Sequence, residues 1–109
     1  MPAIYKVLGQ NMPVANIFTD IYVVPSGANT IVSTVNVCNT TSSNVTFRLA
    51  VRPSNAIITA KSYIAYDTAV AGQDALALSL GMTLGSSDVL TAFSFQGNVA
   101  FNVFGTELT

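Results

Sequence analysis

Nine charged side chains are all that this 109-residue chain offers for acid–base, ionic or metal chemistry: four Lys or Arg, five Asp or Glu, and no histidine. Without His there is no Ser-His-Asp or Cys-His nucleophile system, no imidazole metal ligand and no ordinary general base at neutral pH. A carboxylate pair for glycoside hydrolysis would have to come from Asp20, Asp67, Asp74, Asp88 and Glu107, which can meet only in space. Asp74 and Asp88 stand in turns bearing Gly or Ser, where a carboxylate commonly accepts hydrogen bonds from nearby backbone N–H groups. No Asp-x-Asp-x-Asp spacing concentrates charge for calcium. The lone cysteine, Cys38, excludes an internal disulfide and a Cys-based metal cage, fits a reducing cytoplasm, and reads as a small buried hydrophobe. Asn39-Thr40-Thr41 and Asn44-Val45-Thr46 match glycosylation sequons, which carry no meaning without a secretory route. These residues predict no enzyme, no cofactor and no metal site.

What remains is recognition chemistry. Arg48 and Arg52 lie four apart on a strand-like segment, on one polar face, about 13 Å from each other at ~3.3 Å per residue. Two readings stand side by side: a solvated outer face, or guanidinium forks that pair with carboxylates or carbonyls of a neighbouring subunit. Tyr63 and Tyr66, three apart, are expected on opposite faces of one strand, one entering the core and the other meeting a partner or solvent.

The elements that position these residues follow from alternation. In Val45–Arg52, Val45, Phe47, Leu49 and Val51 fall on one face and Thr46, Arg48 and Arg52 on the other, the period-two mark of a half-buried strand. Leu76, Leu78, Leu80 and Met82 repeat the pattern, as do Val99, Phe101 and Val103. Further strands, rich in β-branched or aromatic residues, are predicted at about 3–8, 18–24, 30–39, 61–66 and 89–95, which makes eight. Turn-forming clusters at 25–29, 39–44, 53–55, 71–74, 85–88 and 96–98 separate them. The expectation is an all-β chain: one antiparallel β-sandwich or jelly-roll-like domain of about eight strands, with a barrel as the alternative. Residues 1–13 form an N-terminal edge strand or arm and 14–109 the sandwich, with Pro13 as the hinge or turn.

Composition points the same way as the missing chemistry. Only 8 % of residues are charged and 50 % are hydrophobic, against about 25 % charged in an ordinary soluble domain. Such a surface suits contact with other protein in an assembly. No apolar run approaches the roughly 18 residues of a membrane-spanning helix, although the mean hydropathy is +0.53. The N-terminal segment has no sustained apolar core, so no export signal is expected. A net charge of −1 and four basic residues cannot make a nucleic-acid footprint, so neither membrane nor direct nucleic-acid contact is predicted.

The order and spacing of several short segments carry a resemblance. Tyr5-Lys6-Val7-Leu8-Gly9-Gln10, Tyr22-Val23-Val24-Pro25, Val37-Cys38-Asn39, Phe47-Arg48-Leu49-Ala50-Val51-Arg52-Pro53, Tyr63-Ile64-Ala65-Tyr66-Asp67 and Phe101-Asn102-Val103-Phe104-Gly105-Thr106-Glu107 together cover nearly the whole chain. In this the sequence resembles small virion structural proteins of tailed double-stranded DNA bacteriophages, notably cyanophages. It departs from that pattern at 11–16, which is bulkier than usual, and at the 39–44 turn, which lacks a Gly. The resemblance implies a non-enzymatic particle component located in the virion and assembled in the host cytoplasm. On that footing the expected function is a capsid decoration or cement protein that binds and stabilises the major capsid protein lattice. A tail, baseplate or fibre component is the alternative, and a carbohydrate-binding adhesin a further one. The partners expected are the major capsid protein or other virion proteins, together with self-association. Ile4, Tyr5, Lys6, Arg48, Arg52 and Tyr66 are the subunit-contact candidates.

Overall fold

The computed structural model describes residues 3–109, and within them eight strands and two single 3-10 turns. The strands are β1 (Ala3–Asn11), β2 (Thr19–Val23), β3 (Asn29–Asn39), β4 (Val45–Arg52), β5 (Tyr63–Val70), β6 (Ala75–Leu84), β7 (Val89–Phe93) and β8 (Val99–Leu108). They form two four-stranded antiparallel sheets, β1-β8-β3-β6 and β2-β7-β4-β5. The chain passes between the sheets at every connection except β4 to β5, and first and last strands pair with each other. This is the strand order of an eight-stranded jelly roll, a sandwich whose sheets keep open edges and do not close into a barrel. Of the predicted 1–13 segment, Ala3–Asn11 pair with β8 at the edge of the sheet; residues 1 and 2 lie outside those described.

Alternation fixes which side chains enter the sandwich. Val45, Phe47 and Leu49 of β4 meet Val35 and Val37 of β3 and Val99, Phe101 and Val103 of β8 in one core. Phe47 and Phe101 come from opposite sheets and touch edge to face, with centroids 5.8 Å apart. Complete burial of such a ring contributes about 3 kcal/mol, so this pair helps to hold the two layers together. Leu76, Leu78 and Met82 pack against the same core as the sequence predicts; the Leu80 side chain lies outside those described.

Bulges interrupt the alternation and re-aim side chains. On β3 the register against β6 and β8 shifts between Val32 and Thr34. Thr30 and Val32 therefore point inward before the bulge, and Val35, Val37 and Asn39 after it. Cys38 consequently faces out between Ala75 and Ala100 and is half-buried, which corrects the buried position expected for it. On β5 two shifts, between its partners Phe47 and Leu49 and between Leu49 and Ala50, place two extra residues in the strand. The second correction follows. Tyr63 and Tyr66 do not take opposite faces but share one, their rings 4.9 Å apart. The strand also begins two residues later than predicted, because Ala60–Ser62 form a 3-10 turn closed by a reciprocal Thr59–Ser62 capping box.

Asn39, fully buried, ties the loop end of the sandwich together. Its Nδ2 donates to the carbonyls of Ser43, Val70 and Ala71 at 2.7, 3.2 and 3.2 Å. Its Oδ1 accepts from the Thr41 backbone N–H at 2.9 Å and the Thr41 hydroxyl at 2.7 Å. One amide thus satisfies polar groups from the β3–β4 and β5–β6 connections, which would be costly to leave buried and unpaired.

Candidate functional site

Six of the nine charges are consumed in three ion pairs within the chain. Lys6 Nζ lies 2.9 Å from Glu107 Oε1, Arg48 Nε 2.7 Å from Asp67 Oδ1, and Arg52 Nη2 2.7 Å from Asp20 Oδ1. Asp88 accepts from the backbone N–H groups of Ser54 and Gly85, and Asp74 from that of Ala75, the turn role their sequence context predicts. Each of the five carboxylates is thus engaged at a different place in the fold. Among the described residues, no three His, Cys, Asp or Glu side chains converge on one point. The two arginines have found their carboxylates inside the subunit, so the carboxylate-pairing part of the intersubunit reading is already taken up by Asp67 and Asp20.

The densest recognition chemistry lies on the outer face of the β2-β7-β4-β5 sheet. Cross-strand register sets Phe93 of β7 opposite Arg48 of β4, and Phe18, just ahead of β2, stacks on Phe93 with centroids 4.4 Å apart. Phe95, two residues beyond Phe93, meets it edge to face at 4.9 Å. From the other side the β5 bulge carries Tyr66 over the guanidinium at 4.2 Å and Tyr63 at 5.9 Å. Arg48 Cζ also sits 5.2 Å from Phe93 and 5.0 Å from Phe95, so four rings surround one cation. Asp67 completes the arrangement by accepting from both Nε and Nη2, at 2.7 and 3.2 Å. This fork holds the Asp67 carboxyl below its usual range and raises the Arg48 guanidinium further, each through the hydrogen bond to the other. Asp67 adopts a left-handed backbone, φ +47°, which a short polar side chain tolerates better than most.

The cluster is interlocked yet open. The Arg48 side chain is 16 % exposed, whereas Tyr66 is 58 % exposed and Phe18 and Phe95 are both partly in solvent. A groove of about 430 Å³ runs beside it, lined by Ile58, Thr59, Ala60, Tyr63 and Tyr66. Aromatic rings and arginine held in place before contact are the composition of an interface hot spot, because little side-chain entropy remains to be lost. Arg52 belongs to the next row, where its Nε donates to Thr91 Oγ1 at 3.1 Å and Thr91 in turn donates to Asp20 at 2.9 Å. The face therefore brings together Arg48, Arg52 and Tyr66 of the sequence-derived candidates.

Ile4, Tyr5 and Lys6 lie elsewhere, on β1 at the edge of the other sheet. Its four strands carry only two charged residues, Lys6 and Glu107, and those bind each other. Glu107 is buried and also accepts from the Tyr22 hydroxyl at 2.6 Å, while that hydroxyl lies 2.7 Å from Thr30 Oγ1. Burial, then the bond to Glu107, pushes the Tyr22 phenol up to about 12. Lys6, and after it Tyr22, hold the Glu107 carboxyl below its ordinary value. The outer face of this sheet runs in rows of apolar and hydroxyl side chains, Tyr5–Thr106–Ile31–Thr83 and Val7–Phe104.

Sequence reasoning did not single out Phe18, Phe93 and Phe95. Phe93 and Phe95 share a face by their i, i+2 spacing, a signal present in the sequence; only the register of β7 on β4 and β2 shows that Phe18 and Arg48 join them. No protein-family model, curated protein or solved structure matches this chain.

Proposed function

We propose that this protein is a non-enzymatic structural component of a tailed bacteriophage virion, a decoration or cement subunit that seats on the major capsid protein lattice through the aromatic face around Arg48. The observation that carries the proposal is that ring-caged, Asp67-locked guanidinium beside exposed Tyr66, Phe18 and Phe95. An exposed aromatic patch of this kind loses little on docking and excludes water well. The pairing of six charges inside the fold supports the same reading, since Arg48 and Arg52 of this face enter a contact with Asp67 and Asp20 already beside them. The jelly-roll order adds an analogy only, because the same fold serves capsids, lectins and enzymes.

Quantitative mass spectrometry of purified particles tests the proposal by counting copies against the major shell protein. Copies on the scale of the shell protein are expected. A handful or a few dozen would move the chain to the tail, baseplate or fibre, and none would end the structural reading. Arg48→Ala is expected to weaken attachment to particles about tenfold or more while circular dichroism stays unchanged, because the cage lies outside the core. One feature favours a second reading, binding of carbohydrate: the exposed Tyr66 ring on the wall of the 58–60 groove. Saturable glycan binding lost in Tyr66→Ala would establish it.

A further inference from the structure

Each sheet ends in two strands that pair on one side only: β1 and β6 in one, β2 and β5 in the other. At an open edge every second residue turns its N–H and C=O away from the sheet, ready for another strand. β2 has five residues and a register shift between Asp20 and Tyr22. β5 has two shifts and the left-handed Asp67. β6 is regular over 75–79, but its outward side chains there are Ala75, Ala77 and Ser79, and Leu76 and Leu78 are already committed to the core. β1 differs in carrying large exposed side chains on its regular stretch. It runs without a register shift over 3–7, and Ile4, Tyr5 and Val7 are 48 %, 82 % and 48 % exposed. Beyond that the pairing of β1 with β8 shifts between Val7 and Gly9, and Gly9 packs so close to β2 of the other sheet that a Cβ would overlap the Ile21 carbonyl oxygen, so the regular stretch of the edge ends at Val7.

We infer that residues 3–7 of β1 pair antiparallel with the same residues of a second copy of this chain, about a two-fold axis at Tyr5. The β1-β8-β3-β6 sheets of two copies then become one eight-stranded sheet. An antiparallel edge is its own complement, so the partner needs no surface beyond the one on view. The axis at Tyr5 sets Tyr5 against its counterpart, Ile4 against Lys6, and Ala3 against Val7. Lysine on an edge usually guards against such pairing. Here the Lys6 ammonium is drawn to Glu107 at 2.9 Å, and this register opposes it to an isoleucine rather than to a second cation. Its aliphatic stem is then free to cover Ile4. On the outer face the Tyr5–Thr106–Ile31 and Val7–Phe104 rows continue across the axis without meeting a charge. Five residues a side give roughly four to six backbone hydrogen bonds, so the dimer is concentration-dependent and favoured where copies crowd on a particle. Its biological meaning rests on the assembly role proposed above; the pairing itself is a property of the chain in solution.

Site-specific cross-linking tests the register. In a Cys38→Ser background, Tyr5→Cys places two thiols across the axis, where opposed Cβ atoms lie about 4.5–5.5 Å apart, close to what a disulfide spans. Under mild oxidation Tyr5→Cys is expected to form a covalent dimer at least about tenfold faster than Ala77→Cys on the β6 edge or Ile57→Cys, whose parent residue is 87 % exposed. Equal rates would mean random collision and a faster Ala77→Cys would mean the other edge; either overturns the inference. Sedimentation of the unmodified chain should show a monomer–dimer equilibrium that Tyr5→Asp shifts about tenfold or more toward monomer, with circular dichroism unchanged. A monomer at every concentration would overturn the pairing and leave the particle count of the proposed function untouched. A particle count of zero would overturn that function and leave the dimer standing.

Discussion

Tyr22→Phe removes one oxygen from the interior, and the structure sets the size of the loss. The hydroxyl is buried, donates to the Glu107 carboxylate at 2.6 Å and lies 2.7 Å from Thr30 Oγ1. A phenol with one proton gives it to the carboxylate, so Thr30 is the donor in the second bond. Deleting the oxygen costs a charge-assisted hydrogen bond, about 1.5–3 kcal/mol, and leaves the fully buried Thr30 hydroxyl short of a partner for about 1 kcal/mol more. The expected destabilisation is about 2.5–4 kcal/mol at pH 7, which lowers the urea midpoint by about 1–3 M for a domain of this size. The sign of its pH dependence follows from Glu107. Its carboxyl pKa is depressed in the fold, so the stabilisation is present above the unfolded value of 4.5 and is lost as pH falls through the folded value. Once Glu107 is protonated, Tyr22 makes only a neutral bond, and the gap between wild type and Tyr22→Phe should narrow by about half. At the alkaline end the phenol, raised to about 12 from 10.0, stabilises the fold below pH 10, and that contribution is lost as pH rises toward 12. Urea melts across this range and a spectrophotometric tyrosine titration measure both. A Tyr22→Phe midpoint within about 0.3 M of wild type at pH 7 would refute the reasoning, as would a gap that does not narrow in acid.

Gly9→Ala should lower stability by about 2–3 kcal/mol and the melting temperature by about 10 °C, because the new methyl meets the rigid Ile21 carbonyl and not a movable side chain. A melt within a few degrees of wild type would show that β1 and β2 can part freely. Asn39→Asp turns a donor toward three carbonyl oxygens into an acceptor, so a loss of about 3 kcal/mol or more is expected at pH 7. The new carboxyl has a raised pKa in the fold, so the penalty is full above that value and is relieved as pH falls; urea melts at neutral and acid pH should show the recovery. On the proposed capsid role, attachment to particles measured by co-sedimentation should change less than about threefold as the screening length shrinks from about 10 Å at 0.1 M salt to about 3 Å at 1 M. A tenfold weakening would mean that charges, rather than the aromatic face, hold the contact.

The strands were legible because their alternation is strong: Val45–Arg52 and the start of β8 at Val99 lie where the sequence places them, and all eight predicted strands are present. What the sequence could not reveal were the bulges. A single inserted residue reverses every later side chain, and local composition at Ser33 or within 63–67 gives no clear sign of it. The Tyr63–Tyr66 pair shares a face for this reason, while Cys38, expected inside on residue type, is turned half outward by the β3 bulge. The candidate site was half legible. Arg48 and Tyr66 stood out by type, but their meeting with Phe93, Phe95 and Phe18 depends on which strands are neighbours, and strand order in a jelly roll is long-range information. The carboxylate partners of the arginines were hidden likewise, 19 and 32 residues away along the chain.

The two sheets divide the molecule by the kind of contact each can make. On one, a guanidinium already matched by Asp67 and four rings presents partly exposed aromatic side chains; binding there costs little ordering and leaves the Arg48 charge matched. On the other, a charge-free face ends in a strand edge whose unmet backbone groups can be satisfied only by water or another strand. Both depend on the same economy of charge. Had Arg48, Arg52 and Lys6 been left unpaired, each would have to be desolvated on assembly, at several kcal/mol per ion. Pairing them during folding moves that cost into a step where Glu107, Asp67 and Asp20 are held at 2.7–2.9 Å by the strand register. Low charge in the sequence is thus reinforced by pairing in the fold, and both of the contacts proposed above depend on it.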